Sequence, residues 1–293
     1  MISIHFEEKD ECRQVFEQLK LHTEKYKSLG LHSTVECLHD QIITITDDKH
    51  DDHFYETVQP LIVSILTNHI IAEKEEEWLL NIIESMFYFK DPEEKNQIVT
   101  IARSIIEGDR EDLPRSIKKF YARESLIYEA FASCLRKDST LYYDPFLTFR
   151  LKAYGEMLID CVEIAIDEYM LEQEYQNMVE SFRFFIKVKP AKVDVIHLVH
   201  KESFSFYDQQ FRKLTPSEIS EYLDEELRFE DGVPIEEMVI SPLVSMSPKK
   251  IFLYSNTVDD GVIQTIQTVF QERVSLHHLR EFTYGEHQDT LLQ

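Results

Sequence analysis

The stretch DPFLTFRLKAYGEMLIDCVEIAIDEYMLEQEYQNMVESFRFFI, residues 144–186, decides the fold of this chain. It opens on Asp144 and Pro145, and an acidic residue followed by proline is typical of the first turn of a helix. Apolar residues then recur at spacings of three and four, which predicts one helix that is apolar over a wide arc. At ~1.5 Å per residue it would be about 60 Å long. We expect other helices to surround it, as the central helix of a bundle. Its main apolar stripe comprises Leu147, Leu151, Tyr154, Leu158, Val162, Ala165 and Tyr169.

The bundle is predicted to span residues 49–187, because the pattern between these limits is helical throughout. One helix start is explicit in residues 91–94, Asp-Pro-Glu-Glu, where the aspartate is a typical N-cap and the proline occupies the first helical position. Gly108 is expected to end that helix, since glycine adopts the left-handed conformation of a helix end without strain. Two further helices are expected, over residues 73–89 and 113–137.

A small α/β unit is predicted ahead of the bundle, over residues 1–48. Alternating apolar residues at the N-terminus indicate a half-buried strand, and a helical pattern follows it. Two more short apolar runs then pair as a hairpin that turns at His39 and Asp40. The whole unit is short, and we expect it to flank the bundle.

A second α/β module is predicted after the bundle, over residues 188–285. It begins with a β-hairpin over residues 192–207 and ends with a strand–helix–strand unit over residues 250–277, which we expect to cross over with right-handed topology. Residues 286–293 form a polar tail. The expected fold class is therefore α+β, with a helical bundle around a long central helix and an α/β unit on either side.

The composition excludes several classes of function. The net charge of −24 repels a phosphate backbone and an anionic membrane surface, so it disfavours nucleic-acid binding and membrane association. The four cysteines form no C-x-x-C pair, which fits reduced thiols in a cytosol. The most apolar stretch, residues 60–72, is shorter than the about 20 residues that a transmembrane helix needs. We expect a cytoplasmic protein without a cofactor.

Three stretches carry a resemblance to a known family. They are DPFLTFRLKAY at residues 144–154, LEQEYQNMVESFRFFI through KVDVIHLVH at residues 171–200, and SPLVSMSPKKIFLY at residues 241–254, followed by VIQTIQTVFQERVSL at residues 262–276. Together they resemble the YtxC-like family of endospore-forming bacteria. The resemblance implies a cytoplasmic protein with a role in sporulation and no established catalytic activity.

The candidate site residues start from Arg150. The helical pattern places it on the same apolar arc as Tyr154, so its guanidinium must reach solvent or find a carboxylate. It would then form either a structural ion pair or a contact with an anionic ligand. Three further polar residues, Glu174, Tyr175 and His197, could line a pocket with these two, between the bundle and the C-terminal sheet.

Two other kinds of site were weighed. Arg115, Lys119 and Arg123 share one helix face and could contact an anion, although pairing with the many glutamates of the chain is the favoured interpretation. Histidines offer no metal site, because His197 and His200 lie three apart on a predicted strand and point to opposite faces. We therefore expect no metal. The loop at residues 255–261 lacks both glycine-rich phosphate motifs, so we also expect no nucleotide cofactor.

Two hypotheses follow. The first is a non-catalytic interaction protein of sporulation that binds an unidentified protein through residues 188–285, with the bundle as scaffold. The alternative is a small-ligand sensor or an enzyme that uses the predicted pocket. The lack of a catalytic motif favours the first hypothesis, and the sequence does not decide the oligomeric state.

Overall fold

The computed structural model of the protein describes residues 1–27, 33–46, 54–108, 123–224 and 238–282. These residues form an α+β fold with a long helix and two small mixed sheets, which confirms the predicted fold class. The chain divides into two compact units, unit 1 over Met1–Leu171 and unit 2 over Glu172–Gln293. The predicted domain limits at residues 48 and 187 stay predictions about which segments fold on their own. The predicted polar tail lies outside the described residues.

One helix of unit 1 begins and ends at the signals that the sequence carries. Asp91 Oδ1 accepts hydrogen bonds from the backbone N–H groups of Glu93 and Glu94 at 2.9 and 3.0 Å. Gly108 has a φ of 79° and ends the same helix, so both predictions are confirmed. The helices are α1 (Lys9–Tyr26), α2 (Gln59–His69), α3 (Glu75–Ser85), α4 (Pro92–Glu107), α5 (Arg123–Cys134), α6 (Tyr143–Arg150) and α7 (Lys152–Val188), the last of which continues into unit 2.

The prediction of one uninterrupted helix over residues 144–186 is wrong. Leu151, with a φ of −95° and a ψ of 18°, separates α6 from α7. Its side chain is buried in the core of unit 1, and its carbonyl oxygen accepts the N–H of Gly155 at 2.9 Å, in the first turn of α7. The break therefore falls at a buried residue whose spacing in the apolar stripe gives no sign of it.

The first sheet contains the predicted N-terminal hairpin. His39 and Asp40 both have positive φ values, 56° and 58°, which is the backbone of a type I′ turn, and the hairpin is confirmed. The strand Thr140–Tyr142, here β4, was not predicted; it pairs in parallel with the N-terminal strand Ile2–His5, here β1, although the two are far apart along the chain. The strands are β1 (Ile2–His5), β2 (Thr34–Leu38), β3 (Ile42–Thr46) and β4 (Thr140–Tyr142), in the order β2-β3-β1-β4.

One hydrophobic core holds unit 1 together. Ile4 of the sheet, Leu66 of α2, Ile83 of α3 and Leu158 of α7 are each fully buried, and all belong to the same cluster. Burying side chains of this size contributes about 1.5–3 kcal/mol each. The N-terminal strands therefore share their core with the helices, so the small α/β unit is part of unit 1.

Unit 2 is built on the second sheet. The predicted hairpin and the predicted strand–helix–strand unit are both confirmed, and its right-handed crossover stays a prediction. The parallel pairing of Val195–His200 with Lys250–Tyr254, which joins the two, was not predicted. The strands are β5 (Val195–His200), β6 (Phe204–Tyr207), β7 (Lys250–Tyr254) and β8 (Val274–His277), in the order β6-β5-β7-β8. The helices are α8 (Pro216–Tyr222), α9 (Ile240–Met246) and α10 (Gly261–Phe270), with a 3-10 turn at Gln271–Arg273.

The second sheet has two different faces. Leu198, Leu253 and Ile266 of α10 belong to the main core of unit 2. Val199 and Tyr254, which alternate with those strand residues, pack instead against Phe282 in a separate small cluster. Of the helices that the structure describes, none has both the length and the apolar character needed to cross a bilayer.

Candidate functional site

The predicted site residues of unit 1 have different environments. Arg150 is exposed, because α6 ends at this residue instead of continuing along an apolar arc. Tyr154 is fully buried in α7. Of the predicted anion strip, Arg115 and Lys119 lie outside the described residues. Arg123 Nη1 pairs with Glu75 Oε1 at 2.8 Å, so it is bound to a glutamate as the favoured interpretation expected.

The other predicted site residues belong to unit 2. Glu174 is exposed on α7. The hydroxyl of Tyr175 lies 3.4 Å from Thr265 Oγ1, whereas His197 is buried and its Nδ1 lies 3.1 Å from the Tyr254 hydroxyl. That all five predicted residues line one pocket stays a prediction.

The Tyr154 hydroxyl belongs to a buried polar network around Glu75. Glu75 is 3% exposed, and it accepts a short hydrogen bond from Tyr154 on one oxygen and the Arg123 ion pair on the other. Burial and the neighbouring Glu75 charge raise the pKa of Tyr154 above its ordinary value. Both carboxylate oxygens are thus engaged inside unit 1, which is what a buried charge requires.

A second buried carboxylate in unit 1, Glu11, was missed by the sequence analysis. Glu11 Oε1 lies 3.3 Å from His69 Nε2, and Glu11 Oε2 lies 3.2 Å from Lys74 Nζ. Burial alone would raise the pKa of Glu11, but the contacts with His69 and Lys74 outweigh it, so this pKa is lowered. Nothing in the local sequence marks Glu11, because it stands in a run of charged residues that resembles a solvated helix start.

A π-helical segment, Ile70–Lys74, positions both networks. The N–H of Glu75 donates to the carbonyl of Ile70, five residues back, so this turn is wider than an α-helical one. His69, which precedes this segment, and Lys74, which ends it, both contact Glu11. The next residue, Glu75, contacts Tyr154 and Arg123. The two networks therefore join α1, α2, α3, α5 and α7 through side chains that begin or follow one irregular turn.

In unit 2, polar side chains lie on the aromatic face of the sheet. The His197 ring stacks on Phe211 and Phe252, with centroids 4.1 and 5.1 Å away. Burial lowers the pKa of His197, which keeps this imidazole neutral near neutral pH. His277 Nδ1 pairs with Glu281 Oε2 at 2.9 Å and lies beside the Tyr254 ring, with centroids 5.4 Å apart. These groups could exchange protons, but within the described ranges no three His, Cys, Asp or Glu side chains are grouped to hold a metal ion.

A groove of about 650 Å³ lies on unit 1. Its volume lies within the range of about 300–1,000 Å³ that binding sites occupy. It lies beside the break between α6 and α7, and Leu151 at the break is one of its lining residues. We call it the α6–α7 groove, and its lining residues are Trp78, Asp144, Leu147, Thr148, Leu151, Lys152, Gly155, Glu156 and Ile159.

Comparison with known proteins assigns the chain to a family. The YtxC-like family matches residues 60–275, which include the α6–α7 groove and His197 of the second sheet. The chain belongs to the YtxC-like family. It is also similar to the uncharacterized protein YtxC of Bacillus subtilis (strain 168), with 35% identity over 229 residues, which cover 78% of this chain and 80% of that protein. No solved structure matches this YtxC-like chain.

Proposed function

We propose that this YtxC-like chain is a cytoplasmic, non-catalytic interaction protein that binds a protein partner during sporulation. The sporulation setting that the family resemblance implies, together with the similarity to a Bacillus subtilis protein, supports this proposal. That residues 188–285 bind the partner stays a prediction. The crosslinking experiment described below tests this region and the α6–α7 groove together.

The α6–α7 groove is the observation that carries the proposal. Its lining combines the partly buried apolar side chains of Leu147 and Ile159 with charged residues, on a chain with a net charge of −24. A concave surface that combines apolar side chains with a few polar groups is the usual form of a binding site. The buried carboxylate of Glu75, by contrast, is paired inside unit 1 with Tyr154 and Arg123. Binding therefore explains more of the described surface than catalysis does.

The test is recovery of a partner from sporulating cells. The tagged full-length chain is expressed in sporulating Bacillus subtilis, crosslinked in the cells and purified, and mass spectrometry identifies the bound proteins and the crosslinked residues. We expect one protein to be enriched reproducibly over vegetative cells and over an unrelated acidic protein with the same tag. If no protein is enriched in any stage of sporulation, the proposed function is wrong.

A further inference from the structure

The α6–α7 groove has the geometry of a helix-binding surface. Residues that line it recur every four positions on α6 and α7, so they form two parallel rows along the helices. The rows follow two consecutive helices that meet at Leu151, and together the stretch from Asp144 to Ile159 comprises about four helical turns. Trp78 of α3 also lines the groove. The apolar row is Leu147, Leu151, Gly155 and Ile159, and the polar row is Asp144, Thr148, Lys152 and Glu156.

Gly155 interrupts the apolar row with a notch. A Cβ atom built at Gly155 would meet no atom within 4 Å in the described part of the chain, so packing inside the protein does not require glycine here. Glycine within a helix is less stable than alanine by about 0.5–1 kcal/mol. A missing side chain lets the axis of a second helix come closer, because interaxial distance depends on the side chains at the contact. The missing side chain at Gly155 therefore favours close packing when a second helix lies on the groove.

The charge of the groove indicates what kind of helix would bind. Asp144 and Glu156 contribute two negative charges and Lys152 one positive charge, so the rim carries one net negative charge. Lys152 and Glu156 are 3.5 Å apart and largely exposed, and water screens their attraction. With −24 on the whole chain, a cationic partner is attracted and a second copy of this chain is repelled.

We propose that the α6–α7 groove binds an amphipathic α-helix of a basic partner protein. An apolar side chain of that helix sits over Gly155, and its lysine or arginine side chains lie beside Asp144 and Glu156. This inference rests on the proposed function, since it names the surface through which the chain would bind its partner.

Fluorescence of Trp78 tests the proposal directly, because the chain contains a single tryptophan and that residue lines the groove. The probe is a synthetic amphipathic peptide of about 18 residues, about five helical turns, with leucines on one face and lysines on the other and without tryptophan. We expect a saturable blue shift of the Trp78 emission when this peptide is added. A control peptide with glutamates in place of the lysines should give no shift at the same concentrations.

Two pairs of variants locate the binding. Gly155→Leu fills the notch and should weaken binding of the peptide by at least about tenfold, about 1.4 kcal/mol. Ala153→Leu adds the same side chain at an exposed position outside the groove and should leave the affinity unchanged. Glu156→Lys should also weaken binding, and its control Asp160→Lys makes the same charge change on the same helix, away from the lining. If Gly155→Leu does not fold, the charge pair still decides the question.

Several results would overturn the proposal. They are the absence of a shift with the leucine–lysine peptide, equal weakening by the paired variants, and a shift only with a small apolar molecule such as octanol. A dimer in sedimentation velocity that Gly155→Leu dissociates would make a second copy the occupant instead. If the peptide does not bind but a partner is still recovered from cells, the proposal about the groove is wrong and the proposed function stands. If the peptide binds but no cellular partner is found, the proposed sporulation role is wrong.

Discussion

Trp78 and Gly155 line the same groove of unit 1 from two different helices, α3 and α7. The indole is half-buried and contacts the Tyr154 ring edge-on, with centroids 6.1 Å apart, so its position is fixed by the residue that precedes Gly155. The phenol of Tyr154 is in turn fixed by the buried Glu75 carboxylate. The interior polar network therefore holds the wall of the groove in place.

Substitution of Gly155 by alanine should stabilise the free protein. The added methyl group meets open space and removes the conformational freedom that glycine has in the unfolded chain, so the free energy of unfolding should rise by about 0.5–1 kcal/mol. Urea denaturation measures it. The matched control is Ala153→Gly, which should lower the free energy of unfolding by a similar amount. A loss of stability in Gly155→Ala would show that glycine is needed by the fold itself.

Removal of the Tyr154 hydroxyl should destabilise unit 1. Tyr154→Phe keeps the ring but leaves one oxygen of the buried Glu75 carboxylate without its donor, and hydrogen bonds to charged groups are worth about 1.5–3 kcal/mol. The loss in the free energy of unfolding should fall in that range. Tyr142→Phe is the control, since Tyr142 is 60% exposed and its variant should stay within about 0.5 kcal/mol of the parent. Equal effects of the two variants would contradict the role given to Glu75.

The buried His197 should make stability depend on pH. Burial lowers its pKa, with Asp208 acting in the opposite direction and His277 in the same one. The unfolded chain then binds a proton that the folded chain does not, so the free energy of unfolding falls as pH falls below the ordinary histidine value of about 6.5. In His197→Phe, which keeps a ring between Phe211 and Phe252, the free energy of unfolding should fall less steeply over this pH range. Parallel curves for parent and variant would contradict a neutral His197.

Glu218 offers a titration that separates backbone from side-chain effects. Its pKa is lowered to about 2, first by the backbone N–H of Thr215 at 2.8 Å and then by the Arg212 guanidinium at 2.7 Å. Its contribution to stability is thus present above the ordinary glutamate value of about 4.3 and is lost as pH falls toward about 2. In an NMR titration, Arg212→Ala should raise this pKa only part of the way. A full return to the ordinary value would assign the shift to Arg212 alone.

Local signals in the sequence predicted most of the elements correctly. Asp91 and Gly108 mark helix ends by their own chemistry, and the His39–Asp40 turn follows from the two short strands around it. The predictions that failed depend on contacts distant in sequence. β4 exists because it pairs with β1, and the helix is broken at Leu151, a buried residue of the apolar stripe that carries no local break signal.

The candidate site could be predicted less well than the fold. Periodicity placed Arg150 on a buried arc, but the break after this residue leaves it exposed. Glu11 and His69 are far apart in the sequence and meet only in the folded structure, which no local pattern encodes. A role of Gly155 in the groove could not be predicted, because it depends on the open space around this residue, which only the folded structure shows.

The most direct test of the central claim is a comparison of two variants in sporulating cells. The tagged parent chain, Gly155→Leu and Ala153→Leu are expressed at equal levels, crosslinked and purified, and the partner is quantified by mass spectrometry. If the α6–α7 groove binds the partner, its recovery should fall at least about tenfold with Gly155→Leu and stay at the parent level with Ala153→Leu. Equal recovery with Gly155→Leu and the parent would contradict the claim that this groove is the binding surface.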